Sequence, residues 1–387
     1  MNFNEIVQND EKYFMPVYGP RFPLAIDHGK GAYLFDTQGN KYLDFVAGIA
    51  TNLLGYADPG YIQAMRQQME KVLHCSNLYY TQPQAQLEKT LCDLAGDTYK
   101  VFFCNSGGEA NETAIKLVRK HFHDDNKYAI LSLRNSFHGR TLATLTATGQ
   151  EHFHTSFTPL PPEFDYFSTI EELRDKITQN TGGVILEMIQ GEGGVNPLDK
   201  GFVQNIAAVC QEHDILLIID EVQTGMGRTG SMFAFEQYDI TPDIFTLAKG
   251  LGNGFPIGAC LAKSHISFKK GEHGSTFGGN PLACTAGNYV CAAVDEEMLA
   301  HVREMSDYLF EQLQPLTPRG KGLLLGFTLE KINNREFVQK ALEKGLLLVT
   351  AGFNTVRLVP PFVITKEDCD KCVRIIFEVF QELHAQA

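Results

Sequence analysis

The 387-residue chain has no basic excess: 33 lysines and arginines stand against 46 aspartates and glutamates, a formal net charge of -13. A nucleic acid or an anionic membrane needs a basic face, so this balance argues against both as partners. It leaves room for small anions, which a few buried arginines can hold. No apolar run approaches the roughly 20 residues that span a bilayer. The opening stretch MNFNEIVQNDEKYFM carries acids and lacks the basic-then-apolar plan of a secretory signal, so a cytoplasmic location is expected. Cysteine is sparse too: the 9 residues are scattered singly, apart from Cys369 and Cys372. An odd, dispersed set reads as reduced thiols rather than a disulfide framework. The stretch CDKC lies in an amphipathic helical pattern with no second ligand pair nearby, so it reads as structural, and no metal is expected. Internal repeats and low-complexity tracts are also missing. So are G-x-x-x-x-G-K-[ST] and a G-x-G-x-x-G after the first strand, which argues against a nucleotide.

What is present is length enough for two domains, one of them large. Near the start, GAYLFDT and KYLDFVA read as strands around the turn QGN. Further on, short apolar runs alternate with helical patterns at 109–121 and 202–213. The runs are VFFC (101–104), YAILSL (128–133), GVILEMI (183–189), ILLIID (215–220), IFTLAK (244–249) and IGACLA (257–262). Continuous apolar runs between helices predict an α/β fold with a mostly parallel sheet covered on both faces. After residue 280, longer helices with the runs LLLGFTL and TVRLVPP predict a smaller α+β domain shared with the N-terminal strands. The expected division is 1–55 and 286–387 for the small domain, and 56–285 for the large one.

In open α/β sheets ligands gather beyond the carboxyl ends of the strands, so the residues after each run are the candidates. After VFFC comes NSGGEANETAIKLVRK, where Gly107 and Gly108 form a turn feeding a helix. Such a turn offers backbone N–H groups and a positive dipole end to an anion, although a plain Ser-capped helix start has the same look. After YAILSL stand Phe137, His138 and Arg140; an aromatic is most often core, but a guanidinium recognises carboxylates bidentately. After GVILEMI, Glu192 sits among glycines in QGEGG, either as a solvated loop acid or close to a ligand. After ILLIID, the acid Asp220 ends a greasy strand, where an unpaired carboxylate is costly and a cation is needed. After IFTLA comes Lys249, whose partial desolvation lowers its pKa and sharpens it as a nucleophile. A phosphate site, a ring to stack, an aldehyde for lysine and a pyridinium for a carboxylate are the parts of pyridoxal 5'-phosphate (PLP). Asp220 would pair with the ring nitrogen.

The stretches LDFVAGIATNLLG, SNLYYTQPQ, FHGRTLATLTATGQ, QGEGGVNP, IIDEVQTGMGRTG, LAKGLGNGFPIGA and GSTFGGNPLA carry a closer likeness. Over essentially its whole length the chain resembles the class III aminotransferases of PLP fold type I. The resemblance implies that Lys249 binds the cofactor aldehyde and that Asp220 pairs with the pyridine nitrogen. It implies further that Val222 and Phe137 cover the two ring faces, Gln223 meets the ring hydroxyl, and Gly107 and Gly108 give N–H groups to the phosphate. Thr276 would reach that phosphate from the other subunit of a homodimer. Arg140 and Ser275 would meet the substrate, and Arg357 would take an α-carboxylate when Glu192 is not neutralising it. The implied reaction moves the terminal amino group of N-acetylornithine to 2-oxoglutarate, a step of arginine biosynthesis. Ornithine, succinylornithine, succinyldiaminopimelate and 4-aminobutyrate are the alternative donors, and another kind of PLP chemistry is the more distant reading. Two positions depart from the family: Gly108 stands where Thr, Ala or Ser is common, and Tyr56, in LGYADP, replaces a common His. Nothing in the sequence explains the second exchange.

Overall fold

The apolar runs become strands because side chains buried on both faces of a covered sheet have no exposed edge to offer. Leu217, Ile218 and Ile219 are at most 3% exposed, and burying each side chain stabilises the fold by about 1.5–3 kcal/mol. The computed structural model describes residues 1–96 and 98–385. Its largest sheet contains β1 (Tyr99–Cys104), β2 (Ala129–Leu133), β3 (Phe164–Phe167), β4 (Thr181–Leu186), β5 (Leu216–Asp220), β6 (Ile244–Leu247) and β7 (Gly258–Lys263). In space they run β1-β7-β6-β5-β4-β2-β3. Only β7 lies antiparallel to its neighbours; the remaining pairs are parallel. The edge strand β3 was not among the expected runs, because FDYF keeps an exposed Asp165 and half-buried rings. Two runs also stop short of their expected ends. β4 closes at Leu186 and β6 at Leu247, so Glu187 and Lys249 lie beyond the strands, where the chain can turn them toward a ligand.

Helices cover both faces. Gly107–His121 buries Ala110, Ala114, Ile115, Leu117 and Val118, a helical stripe, against β6 and β7. Pro281–Ala293 packs on Pro59–Met69 and Gln82–Leu94. This helix spans the boundary expected between 285 and 286.

Two smaller sheets lie outside the large one. Ile26–Lys30, Tyr33–Asp36 and Lys41–Asp44 form an antiparallel meander, and Leu346–Leu347 adds to it in parallel. N- and C-terminal segments therefore share backbone hydrogen bonds. The second sheet, ordered Arg319–Lys321, Leu324–Thr328, Thr355–Leu358, Val349–Ala351, packs under Asn334–Glu343. The C-terminal helix Lys366–His384 carries Cys369 and Cys372 on its buried face, both 0% exposed, where they act as small apolar side chains. Among the described residues no helix is long and apolar enough to cross a membrane.

One local feature defies propensity. After Lys41–Asp44 the chain makes a turn of left-handed helix: Ala47, Gly48, Ile49 and Ala50 have φ of 48°, 63°, 64° and 61°. Such backbone costs a non-glycine residue roughly 1–2 kcal/mol, so other contacts must hold it.

Candidate active site

Beyond the carboxyl ends of these strands lies a cavity of about 380 Å³. Its wall includes Gly107, Gly108, Phe137, Asp220, Val222, Gln223 and Lys249, drawn from four separate strand ends and joined by Asn111, His138 and, from a fifth strand end, Glu187. Ser106 caps the helix after β1, its hydroxyl accepting from Glu109 N at 3.2 Å. Gly107 and Gly108 therefore occupy the first turn, where backbone N–H groups have no carbonyl one turn back and face an anion readily. The Ser106 cap, one of the two readings of the sequence, is present here, and it does not exclude the other. A β-carbon on Gly107 would come 2.7 Å from Val222, so only glycine lets this turn sit against that wall; one on Gly108 would make only ordinary contacts at 3.9 Å, with Ser106 and Thr141.

Asp220 and Glu221 are adjacent but meet different surroundings. Asp220 Oδ1 accepts from Val222 N at 3.0 Å. Its Oδ2 accepts from Asn111 Nδ2 at 2.8 Å and lies 2.8 Å from His138 Nδ1. Against a carboxylate, Nδ1 is the nitrogen that carries the proton. Asn111 is itself held, donating to the His138 carbonyl at 2.8 Å and accepting from Thr246 Oγ1 at 2.7 Å. The chain thus supplies donors of its own to Asp220, which the sequence did not reveal, while the carboxylate still fronts the cavity and can meet a cation there. Glu221 points away into the core, accepting from Phe235 N at 2.9 Å, and burial pushes its carboxyl up to about 7.

Lys249 sits just past β6 in a short 3-10 turn, with φ at 42°, a strained value for a side-chain-bearing residue. Burial lowers its amine below the ordinary lysine range, against the opposing pull of Glu192, Asp220 and Glu187. Glu187 accepts from Phe137 N at 2.9 Å and so fixes the backbone that carries the aromatic wall. Burial, with Asp220 close by, drives its pKa well above the usual carboxylate range.

Arg357, on the Thr355–Leu358 strand of the outer sheet, is 1% exposed yet reaches this region. Its Nη1 donates to Glu192 Oε1 at 2.6 Å and to Gln223 Oε1 at 3.0 Å. Burial alone would raise Glu192, but Arg357 and Lys249 outweigh it and hold the carboxyl below its ordinary value. Glu192 is therefore not a free loop acid. Arg140, by contrast, is exposed beside the cavity, its guanidinium 4.0 Å over the Phe153 ring and 5.4 Å over Phe137. Ser275 is one step removed, its Oγ accepting from Asn105 Nδ2 at 3.3 Å. Thr276 is exposed and does not line the cavity.

The donor set suits PLP: first-turn amides for a phosphate, Val222 and Phe137 as apolar plates, a buried carboxylate for a pyridinium and a desolvated amine for an aldehyde. Glycine is required where Val222 presses on Gly107, which leaves the turn shaped for a close approach. His138, Asn111, Glu187 and Phe153 were not among the expected site residues. Glu187 had left a signal, an acid inside the apolar run GVILEMI. His138 had been visible only as a neighbour of Phe137, and Asn111 and Phe153 had left none.

The family described as "Aminotransferase class-III" matches residues 14–380. The chain is 47% identical over 376 residues to the acetylornithine aminotransferase of Aquifex aeolicus, covering 95% of this chain and 99% of that one. Among solved structures, the N-acetylornithine aminotransferase of Stenotrophomonas maltophilia is similar at a TM-score of 0.84 and 33% identity, over 98% of this chain and 100% of that one. The ornithine aminotransferase of Toxoplasma gondii, described with partial occupancy of PLP at its active site, is similar at a TM-score of 0.93 and 29% identity, over 100% and 95% of the two chains.

Proposed function

Because the chain belongs to the class III aminotransferases, we propose that it transfers the terminal amino group of N2-acetyl-L-ornithine to 2-oxoglutarate. The products are N-acetyl-L-glutamate 5-semialdehyde and L-glutamate, a step of arginine biosynthesis. The cofactor is PLP, which supplies an aldehyde carbon to carry the amino group and a ring that accepts the electrons left on deprotonation. Lys249 Nζ would hold the aldehyde, and its amine would move the proton at the substrate carbon as general base and then acid. Its depressed pKa favours the unprotonated amine this requires. Asp220, oriented by His138 and Asn111, keeps the ring nitrogen protonated. Gly107 and Gly108 bind the phosphate, Phe137 and Val222 hold the ring plane, and Gln223 meets the ring hydroxyl.

The observation that carries the two-substrate reading is the contact of Arg357 with Glu192 and Gln223. One site must take a terminal amine in one half-reaction and an α-amine in the other. With Glu192 on Arg357, no unpaired guanidinium is offered to an α-carboxylate, which suits the acyl-amino acid. Release of Glu192 frees Arg357 for the α-carboxylate of glutamate, while Arg140, with Ser275 beside it, receives the distal carboxylate in both halves.

The same reading includes a homodimer in the cytoplasm, with Thr276 of one copy reaching the phosphate of the other. In support, Thr276 is exposed next to Phe277, and Asn77 Nδ2, which donates to Ser275 O at 3.1 Å, brings exposed Leu78, Tyr79 and Tyr80 to the same surface. A contiguous exposed apolar patch marks an interaction surface.

The test is a single-turnover absorbance experiment without oxo-acid, mixing PLP-loaded protein separately with N-acetylornithine, ornithine, succinylornithine and 4-aminobutyrate. The visible band is expected to vanish fastest with N-acetylornithine. Equal rates with several amines would withdraw the substrate and keep the class. Lys249→Ala should abolish transfer; retained turnover would refute the role of Lys249.

A further inference from the structure

We propose that Tyr56 and Asp44 are positioning residues for the reaction: they lock the left-handed turn Ala47–Ala50, and the segment leaving that turn braces the loop that carries Lys249. The proposal rests on the reading of Lys249 as the reactive amine.

The turn closes with Ala50 N donating to Val46 O at 3.0 Å and Thr51 N to Ala47 O at 2.8 Å. With three of its four residues bearing a β-carbon, it is not self-sustaining. Asp44, 1% exposed, sits under its start. Its Oδ1 accepts from Val46 N at 2.8 Å, and both oxygens accept from Ala47 N at 3.1 Å. The buried carboxylate then needs a further donor, and Tyr56 Oη gives one to Oδ2 at 2.6 Å. Asn52 Nδ2 in turn donates to the phenol oxygen at 3.4 Å. Tyr56 is itself anchored, its backbone bonded both ways to Gly31 at 2.8 and 2.9 Å. Its ring occupies the space of the absent Gly29 side chain, where a β-carbon would lie 2.4 Å away.

The far end of the segment presses on the Lys249 loop. Leu54 N donates to Asn253 Oδ1 at 2.9 Å. A β-carbon on Gly250 would lie 2.7 Å from Leu53, and one on Gly254 would lie 2.6 Å from Asn52 Oδ1. Lys249 and Asn253, at φ of 42° and 46°, are the strained residues of that loop. Thr51 and Gly254, one from each side of the contact, both line the cavity. A path of contacts thus runs from the Tyr56 hydroxyl to Gly250, the residue after Lys249, and to Asn253 and Gly254 of the same loop. It also gives the exchange at LGYADP a role: the phenol is the donor that completes Asp44.

Tyr56→Phe removes that donor alone. In the cofactor-free protein, hydrogen exchange read by mass spectrometry should accelerate roughly tenfold at amides 46–51 and at 250–254. In the PLP-loaded protein kcat should fall several-fold while KM stays within about twofold, because the reactive amine is displaced and not the substrate contacts. Asn253→Gly, which keeps the left-handed backbone and cuts the far end, should reproduce the kcat loss without loosening Val46 and Ala47. Faster exchange confined to 46–51 with unchanged kcat in Tyr56→Phe overturns the proposal, as does exchange unchanged everywhere. Borohydride fixation of PLP followed by peptide mapping of the parent checks the underlying reading separately: a lysine other than Lys249 overturns both.

Discussion

Arg357 and Arg140 each touch a residue that lines the cavity, Gln223 and Phe137, and the structure treats them in opposite ways. Arg357 is buried on a central strand and already has a carboxylate and an amide on one nitrogen. Arg140 stands in solvent with two aromatic rings beneath it. Leaving a buried guanidinium without an acid is costly, so the availability of Arg357 is governed by whichever carboxylate is present. An exposed guanidinium needs no ion partner, only a surface that limits its rotamers. The contrast separates the arginine that is switched from the one that is constant.

The largest expected effect comes from Arg357→Gln. Breaking a buried pair costs about 3–5 kcal/mol, and the half-exposed Glu192 places this case at the low end. On the order of a hundredfold loss in kcat/KM for 2-oxoglutarate is expected, with N-acetylornithine affected far less; equal losses would remove the distinction between the arginines. Glu192→Ala frees Arg357 without removing it. The ratio of ω-amine to α-amine turnover should then fall by roughly tenfold, equivalent to about 1.4 kcal/mol. An unchanged ratio would refute the switch. The smallest effect is expected of Phe153→Leu, which removes a ring from beneath Arg140. An exposed cation–π contact is worth about 0.5–1 kcal/mol, so KM should rise roughly two- to fivefold for both substrates. A rise for one alone would show that Arg140 is not common to the two half-reactions.

The large sheet was legible because both its faces are covered: strands buried on two sides must be apolar throughout, so runs such as ILLIID stand out without any partner being known. The residues that follow each run were legible for the same reason, since Asp220 and Lys249 break an apolar pattern at a place where the chain must turn. The edge strand β3 was not, because an edge tolerates polar residues. Nor was the helix crossing residue 285, whose partners lie some two hundred residues earlier in the chain. Glu187 shows the intermediate case, an acid visible in its run but taken as part of a strand that ends one residue before it.

By itself, then, the sequence determined the α/β architecture, the reduced state expected of its thiols and the chemical types gathered at the strand ends, because each follows from local pattern and composition. Only the tertiary structure decided which donors stabilise Asp220, that Glu192 rests on Arg357, that Phe153 underlies Arg140, and that Ala47–Ala50 wind left-handed. Each of these depends on groups distant in the chain meeting within hydrogen-bond or van der Waals reach. A left-handed turn of alanine and isoleucine is the extreme example: local preference opposes it, and it is held by a buried carboxylate and a phenol twelve residues apart.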